Sequence, residues 1–144
     1  MSKSDCAVSF FRQGFSCSQA IAAAFAADYG LDKETALRLS QGFGGGIARR
    51  ADWCGGLTGA ILVIGLKHGR TRPDDAAARD KTYALVQELI ARFTAKHGGI
   101  KCRDLLGCDL GTPEGQKRVD ELKLHQTKCE AFVRDAAALL EELL

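Results

Sequence analysis

Apolar residues return along this chain every three to four positions, almost from end to end. Cys17, Ile21, Ala24 and Phe25 share one such stripe, and Cys129, Phe132, Val133, Ala136, Ala137 and Leu140 share another. Residues at these offsets lie on one face of an α-helix. Val, Ile and aromatic residues nowhere alternate with polar ones over a useful length, so strand signals are weak. Polar residues and glycines punctuate the stripes. Ser4 is positioned to cap a first helix that stops near Gly14. Ser16, with Gln19 three residues on, is a capping box for a second helix closed by Gly30. Asp32 opens a third, reaching about Gln41. The glycine cluster of Gly42, Gly44, Gly45 and Gly46 breaks the pattern. Asp52 is then expected to cap a fourth helix over about 53–68, stopped by Gly69. Pro73 suits the first turn of a long fifth helix lasting to Gly98 and Gly99. A short helix is expected over Cys102–Leu106, another start at Thr112-Pro113-Glu114, and a last helix capped by Thr127, with Glu130 three residues on. The pattern therefore predicts an all-α fold, a compact helical bundle of about five to seven helices, in a single domain over 1–144.

Composition narrows the classes of function. With 46% hydrophobic and 26% charged residues, a folded globular chain is expected. The net charge of +2, from 20 basic and 18 acidic residues, gives no footing for nucleic-acid binding. The most apolar stretch, 57–66, is far shorter than the ~20 residues a bilayer requires, so no membrane insertion is expected. The first residues lack the apolar core of a signal peptide, and a cytoplasmic location is the expectation.

Candidate chemistry comes from six cysteines: Cys6, Cys17, Cys54, Cys102, Cys108 and Cys129. A reducing cytosol disfavours a structural disulfide framework, which leaves metal binding, redox chemistry or plain burial. Cys17, Cys102 and Cys129 each open a predicted helix on its apolar side, and Cys54 opens one that is apolar nearly all round. Helix N-termini offer free N–H groups and a positive dipole end, both of which favour a thiolate. If several such starts meet, they form a pocket suited to dithiol–disulfide exchange or to a metal centre. Burial as small apolar residues accounts for single cysteines equally well. Helix phase alone does not select four, because Cys6 satisfies the same test; Cys108, just after Gly107, does not.

The remaining motifs carry less. The glycine cluster followed by Arg49 and Arg50 has phosphate-loop composition, but no strand precedes it and neither nucleotide fingerprint is present. His68, His97 and His125 lie near helix ends. His97 and His125 are close enough in sequence to Cys102 and Cys129 for a mixed Cys/His zinc site to be considered, although the tight ligand pairs of structural zinc domains are missing. Charge and capping at helix C-termini are the expected roles of His68 and His97. No Cys-x-x-Cys-His is present for covalent haem attachment, and no third residue is nominated for a Cys–His hydrolase.

Read in order, the motifs carry a resemblance. Phe43-Gly44-Gly45-Gly46-Ile47 through Trp53-Cys54-Gly55-Gly56-Leu57-Thr58-Gly59 resembles a family assigned a redox role and named for a Cys-Gly-Ala-x-x-Gly motif. Phe15-Ser16-Cys17-Ser18-Gln19-Ala20, Cys102-Arg103-Asp104-Leu105-Leu106-Gly107 and Lys128-Cys129-Glu130-Ala131-Phe132-Val133 are similar to the segments around its other three cysteines. Gly56 stands where the motif has Ala, and Ser18 where the family has Ala. The resemblance selects Cys17, Cys54, Cys102 and Cys129 as site residues and sets Cys6 and Cys108 aside. It implies a redox protein in which these four converge, as thiol–disulfide couples or as thiolate ligands of an iron–sulfur cluster. A redox partner protein and homo-oligomerisation are compatible with it. A reading from a different class is a non-catalytic helical interaction module whose cysteines are packing residues.

Overall fold

The computed structural model describes all 144 residues and contains eight helices. They are α1 (Lys3–Arg12), α2 (Cys17–Ala26), α3 (Lys33–Ser40), α4 (Gly55–His68), α5 (Ala76–His97), α6 (Cys102–Leu106), α7 (Pro113–Glu121) and α8 (Glu130–Leu143). The only strand-like feature is one antiparallel bridge between Trp53 and Lys101. No helix is long and apolar enough to cross a membrane.

Helix α2 is the axis of the bundle. Every residue from Ser18 to Ala26 is buried, and five of them are alanines, which let α1, α3 and α4 approach closely. Its two inward polar residues are both satisfied: Ser18 donates to Ser40 O at 2.8 Å, and the Gln19 amide donates to Leu37 O and Gln41 Oε1, each at 3.0 Å. Helix α4 packs on α2, and α5 and α8 complete the core around Phe25, Leu57, Ile64, Leu89, Phe93, Val133 and Leu140.

The helix boundaries depart from expectation where a cap is supplied differently. Helix α1 is capped by Ser2 in a capping box with Asp5, not by Ser4, whose hydroxyl instead reaches Arg134 O. Helix α4 begins at Gly55 with Cys54 as its N-cap. Asp52 does not cap it, because that carboxylate is held by Arg103 at 2.8 Å. Helix α5 is capped by Asp75, leaving Pro73 in the preceding turn. The Thr127 hydroxyl donates to Lys123 O, so it caps nothing, and a π-helical turn over His125–Cys129 runs directly into α8.

The glycine cluster forms no phosphate cradle of the familiar kind. From Gly45 to Arg49 every residue has positive φ: 68° at Gly45, 70° at Gly46, 67° at Ile47, 50° at Ala48 and 65° at Arg49. Left-handed backbone at three consecutive non-glycine residues is costly and persists only where surrounding contacts impose it. Here the N–H groups of Ala51 and Asp52 reach back to Gly45 O and Gly46 O, closing the loop against the start of α4.

Candidate functional site

Four chain segments bring their cysteines to one place. Cys17 is the first residue of α2, Cys54 caps α4, Cys102 is the first residue of α6, and Cys129 ends the π-turn before α8. All four line a single cavity of about 1100 Å³. Cys6 and Cys108 pack into the core without lining it. All six cysteines are free thiols.

The glycines of the Cys54 motif explain how two of these sulfurs become neighbours. A Cβ on Gly55 would lie 3.0 Å from Cys17 Cβ and 3.0 Å from Ser18 N, and one on Gly59 would lie 2.8 Å from Ser18 O. Only glycine at both positions lets the start of α4 rest directly on the start of α2. Gly56 is different. A Cβ there would sit 3.4 Å from Ala136 Cβ and 3.7 Å from Cys54 Sγ, an ordinary contact, so the alanine of the family motif would fit. Cys102 is joined to Cys54 by the Trp53–Lys101 bridge. Cys54 N–H donates to Ile100 O at 2.8 Å, and Cys102 N–H donates to Asp52 O. Each cysteine lies one residue past the bridge on its strand, so the pleat turns both to the same side.

Electrostatics separates the four. Cys17 and Cys129 are neighbours, and the Cys17 thiol, together with the imidazole of His125, holds Cys129 at about 6, well below the ordinary thiol value of 9.0, against the opposing effect of burial. His125 is raised in turn by the same sulfur. Cys17 is driven up by its contact with Cys129 and then by burial. Between these two, Cys129 is the thiolate, because it has His125 and Lys128 beside it and Cys17 has no cation. Burial pushes Cys54 up to about 11, although the N–H groups of Gly56 and Leu57 partly offset it. Burial likewise pushes Cys102 to about 12, with Cys129 and Cys54 adding like charge. Helix starts therefore do not by themselves make thiolates here. Desolvation outweighs the N-terminal amides at Cys54, and the one depressed thiol owes its state to side chains.

His125 is the residue whose role the sequence did not single out. Its four-residue offset from Cys129 was legible, but only as a zinc spacing. As arranged, no three His, Cys, Asp or Glu side chains are placed to share a metal ion. His97 is far from the cysteines in role: its Nε2 lies 2.8 Å from Asp135 Oδ2 without the alignment of a full hydrogen bond, between the rings of Phe93 and Phe132.

The fold and site define an all-α protein with four thiols gathered on one cavity and one of them held as a thiolate. The chain belongs to the family described as putative redox-active protein (C_GCAxxG_C_C), whose model matches residues 15–143. No curated protein and no solved structure matches it.

Proposed function

We propose that the protein is a thiol–disulfide oxidoreductase whose working couple is Cys129 and Cys17. The observation that carries this is the contact of a stabilised thiolate with a second thiol on the wall of an open cavity. Cys129 would attack one sulfur of a substrate disulfide, forming a mixed disulfide and expelling a thiolate, which takes the proton of the His125 imidazolium. Cys17 would then lose its proton and attack Cys129 Sγ. The mixed disulfide breaks, a Cys17–Cys129 disulfide forms, and the second substrate thiolate leaves with the Cys17 proton. Two protein thiols are oxidised and one substrate disulfide is reduced to two thiols.

Cys54 and Cys102 supply the second couple in this reading. A couple whose reduced form is stabilised as a thiolate is the more oxidising one, so electrons should pass from the Cys54 and Cys102 thiols to a Cys17–Cys129 disulfide. Peptide mapping after limited oxidation tests the assignment. The first disulfide to appear should join Cys17 to Cys129. A first disulfide elsewhere, or six unreactive thiols, would overturn it, the latter in favour of a packing role in an interaction module.

A second reading is supported by all four thiols facing one cavity, since four cysteine ligands are the usual set for an iron–sulfur cluster. The arrangement does not fit a single shared ion. A cluster, which spreads its ligands around a larger perimeter, would be held by Cys17, Cys54, Cys102 and Cys129 and would supply one-electron transfer. Anaerobic purification with iron analysis and a visible spectrum separates the two readings: bound iron with charge-transfer bands supports the cluster, and colourless protein that reversibly loses thiols supports the couples.

A further inference from the structure

The thiols are more secluded than exchange with another protein's disulfide requires. Cys54, Cys102 and Cys129 are 4%, 9% and 5% exposed, and only Cys17 is partly open. Sulfurs this buried are reached more readily by a small disulfide than by one on a folded protein surface. The cavity they line, at about 1100 Å³, is slightly larger than the roughly 300–1,000 Å³ typical of small-molecule sites. That is far more room than a peroxide needs.

The cations on its wall are unequally committed, while the Asp120 carboxylate there is unpaired. Arg12 is paired with Glu130 at 2.6 Å. His125 is engaged by Cys129, with Asp120 beside it favouring its protonated form. Arg49 is an exposed residue at the edge of the same wall, near His125, which its charge opposes, and its guanidinium has neither an ion-pair nor a hydrogen-bond partner. Its backbone is fixed by the left-handed run: Arg49 N–H donates to Gly44 O at 3.3 Å, and a Cβ on Gly45 would lie 3.0 Å from Arg49 Cγ. An unpaired arginine at the mouth of the cavity is available to a carboxylate, which its planar fork of donors suits.

We infer that the cavity takes a low-molecular-mass disulfide bearing carboxylates, with one carboxylate on Arg49 and the S–S bond presented to Cys129. This rests on the thiol–disulfide reading and uses its balanced exchange: the substrate S–S bond breaks, the Cys17–Cys129 bond forms, and two small thiols leave.

The test compares three acceptors with the reduced protein: dithiodiglycolate, which is dianionic; 2-hydroxyethyl disulfide, which is neutral; and cystamine, which is dicationic. Each rate of Cys17–Cys129 oxidation is divided by that disulfide's rate with dithiothreitol, which removes intrinsic reactivity. The dianion should exceed the neutral acceptor at least ~3-fold and the dication should fall below it, with the spread shrinking at high ionic strength. Arg49→Gln should bring the dianion down to the neutral value. A disulfide-bonded folded protein offered as acceptor should react much more slowly than any of the three. Equal normalised rates, a preference that survives Arg49→Gln, or rapid oxidation by the protein disulfide would overturn the inference while leaving the Cys17–Cys129 couple standing. Failure of every acceptor to form the Cys17–Cys129 disulfide would overturn both.

Discussion

Cys17 and Cys129 meet across the bundle, one at the first turn of α2 and the other at the end of the π-turn that feeds α8, and the thiol of the first favours the thiolate of the second. They are 112 residues apart in sequence (129 − 17), and the contact is what makes one of six similar thiols chemically distinct.

That distinction is measurable by alkylation. Iodoacetamide should label Cys129 with a half-maximal rate near pH 6, whereas Cys54 and Cys102, at about 11 and 12, should remain unlabelled at neutral pH. His125→Gln removes a donor to the thiolate and should slow Cys129 labelling at pH 6.5 by roughly 3- to 10-fold. Labelling spread evenly over the cysteines would contradict the assignment.

The two members of the couple should fail in different ways. Cys129→Ser should abolish reaction with small disulfides. Cys17→Ser should still react once and then stall, and mass spectrometry should find a stable mixed disulfide on Cys129. If both variants lose the first step equally, Cys17 is not the resolving thiol.

Stability should fall at alkaline pH in a window set by the buried thiols. Cys54 and Cys102 titrate near 9.0 when unfolded but at about 11 and 12 in the fold. Above pH 9 the unfolded chain therefore releases protons that the folded chain retains, and unfolding becomes more favourable until the folded thiols ionise as well. Cys129 acts in the opposite sense, since its depressed value adds stability above the unfolded value that is lost as pH falls through about 6. Urea midpoints from pH 5 to 10.5 should show both limbs, and Cys54→Ala should flatten the alkaline one.

The glycines should sort by the space around them. Gly59→Ala would push a methyl group against Ser18 O and Ile21 Cβ, at 2.8 and 3.0 Å, and should cost about 1–3 kcal/mol in denaturant titrations while disturbing the Cys54–Cys17 approach. Gly65→Ala on the same helix meets nothing within 4 Å and should stabilise by about 0.5–1 kcal/mol. Gly56→Ala should be nearly neutral.

Much of this was legible in the sequence, for a physical reason that also explains the gaps. Capping boxes and helix stripes are local, so Ser16, Asp32, Gly69 and the inward faces of Cys17 and Cys129 could be read directly. Asp52 misled because its carboxylate was drawn to Arg103, 51 residues away. Thr127 misled because a π-turn extends α8 backwards past any cap. The expectation of thiolates at helix starts failed at Cys54 and Cys102 because burial, a property of the whole fold, outweighed the amides at the terminus. Only the ordered set of motifs separated Cys6 from the other cysteines, since its helix phase matches theirs.

The close seam between α2 and α4 has one more consequence. With no room even for a Cβ on Gly55 or Gly59 beside Cys17 and Ser18, that side of the cavity has little slack. Were Cys17 and Cys129 to bond as proposed, the displacement would fall on the other side, on the π-turn and the α8 helix that follows it. Since α8 lies along α1, the oxidation state of those two sulfurs would then be a mechanical input to the outer surface of the molecule.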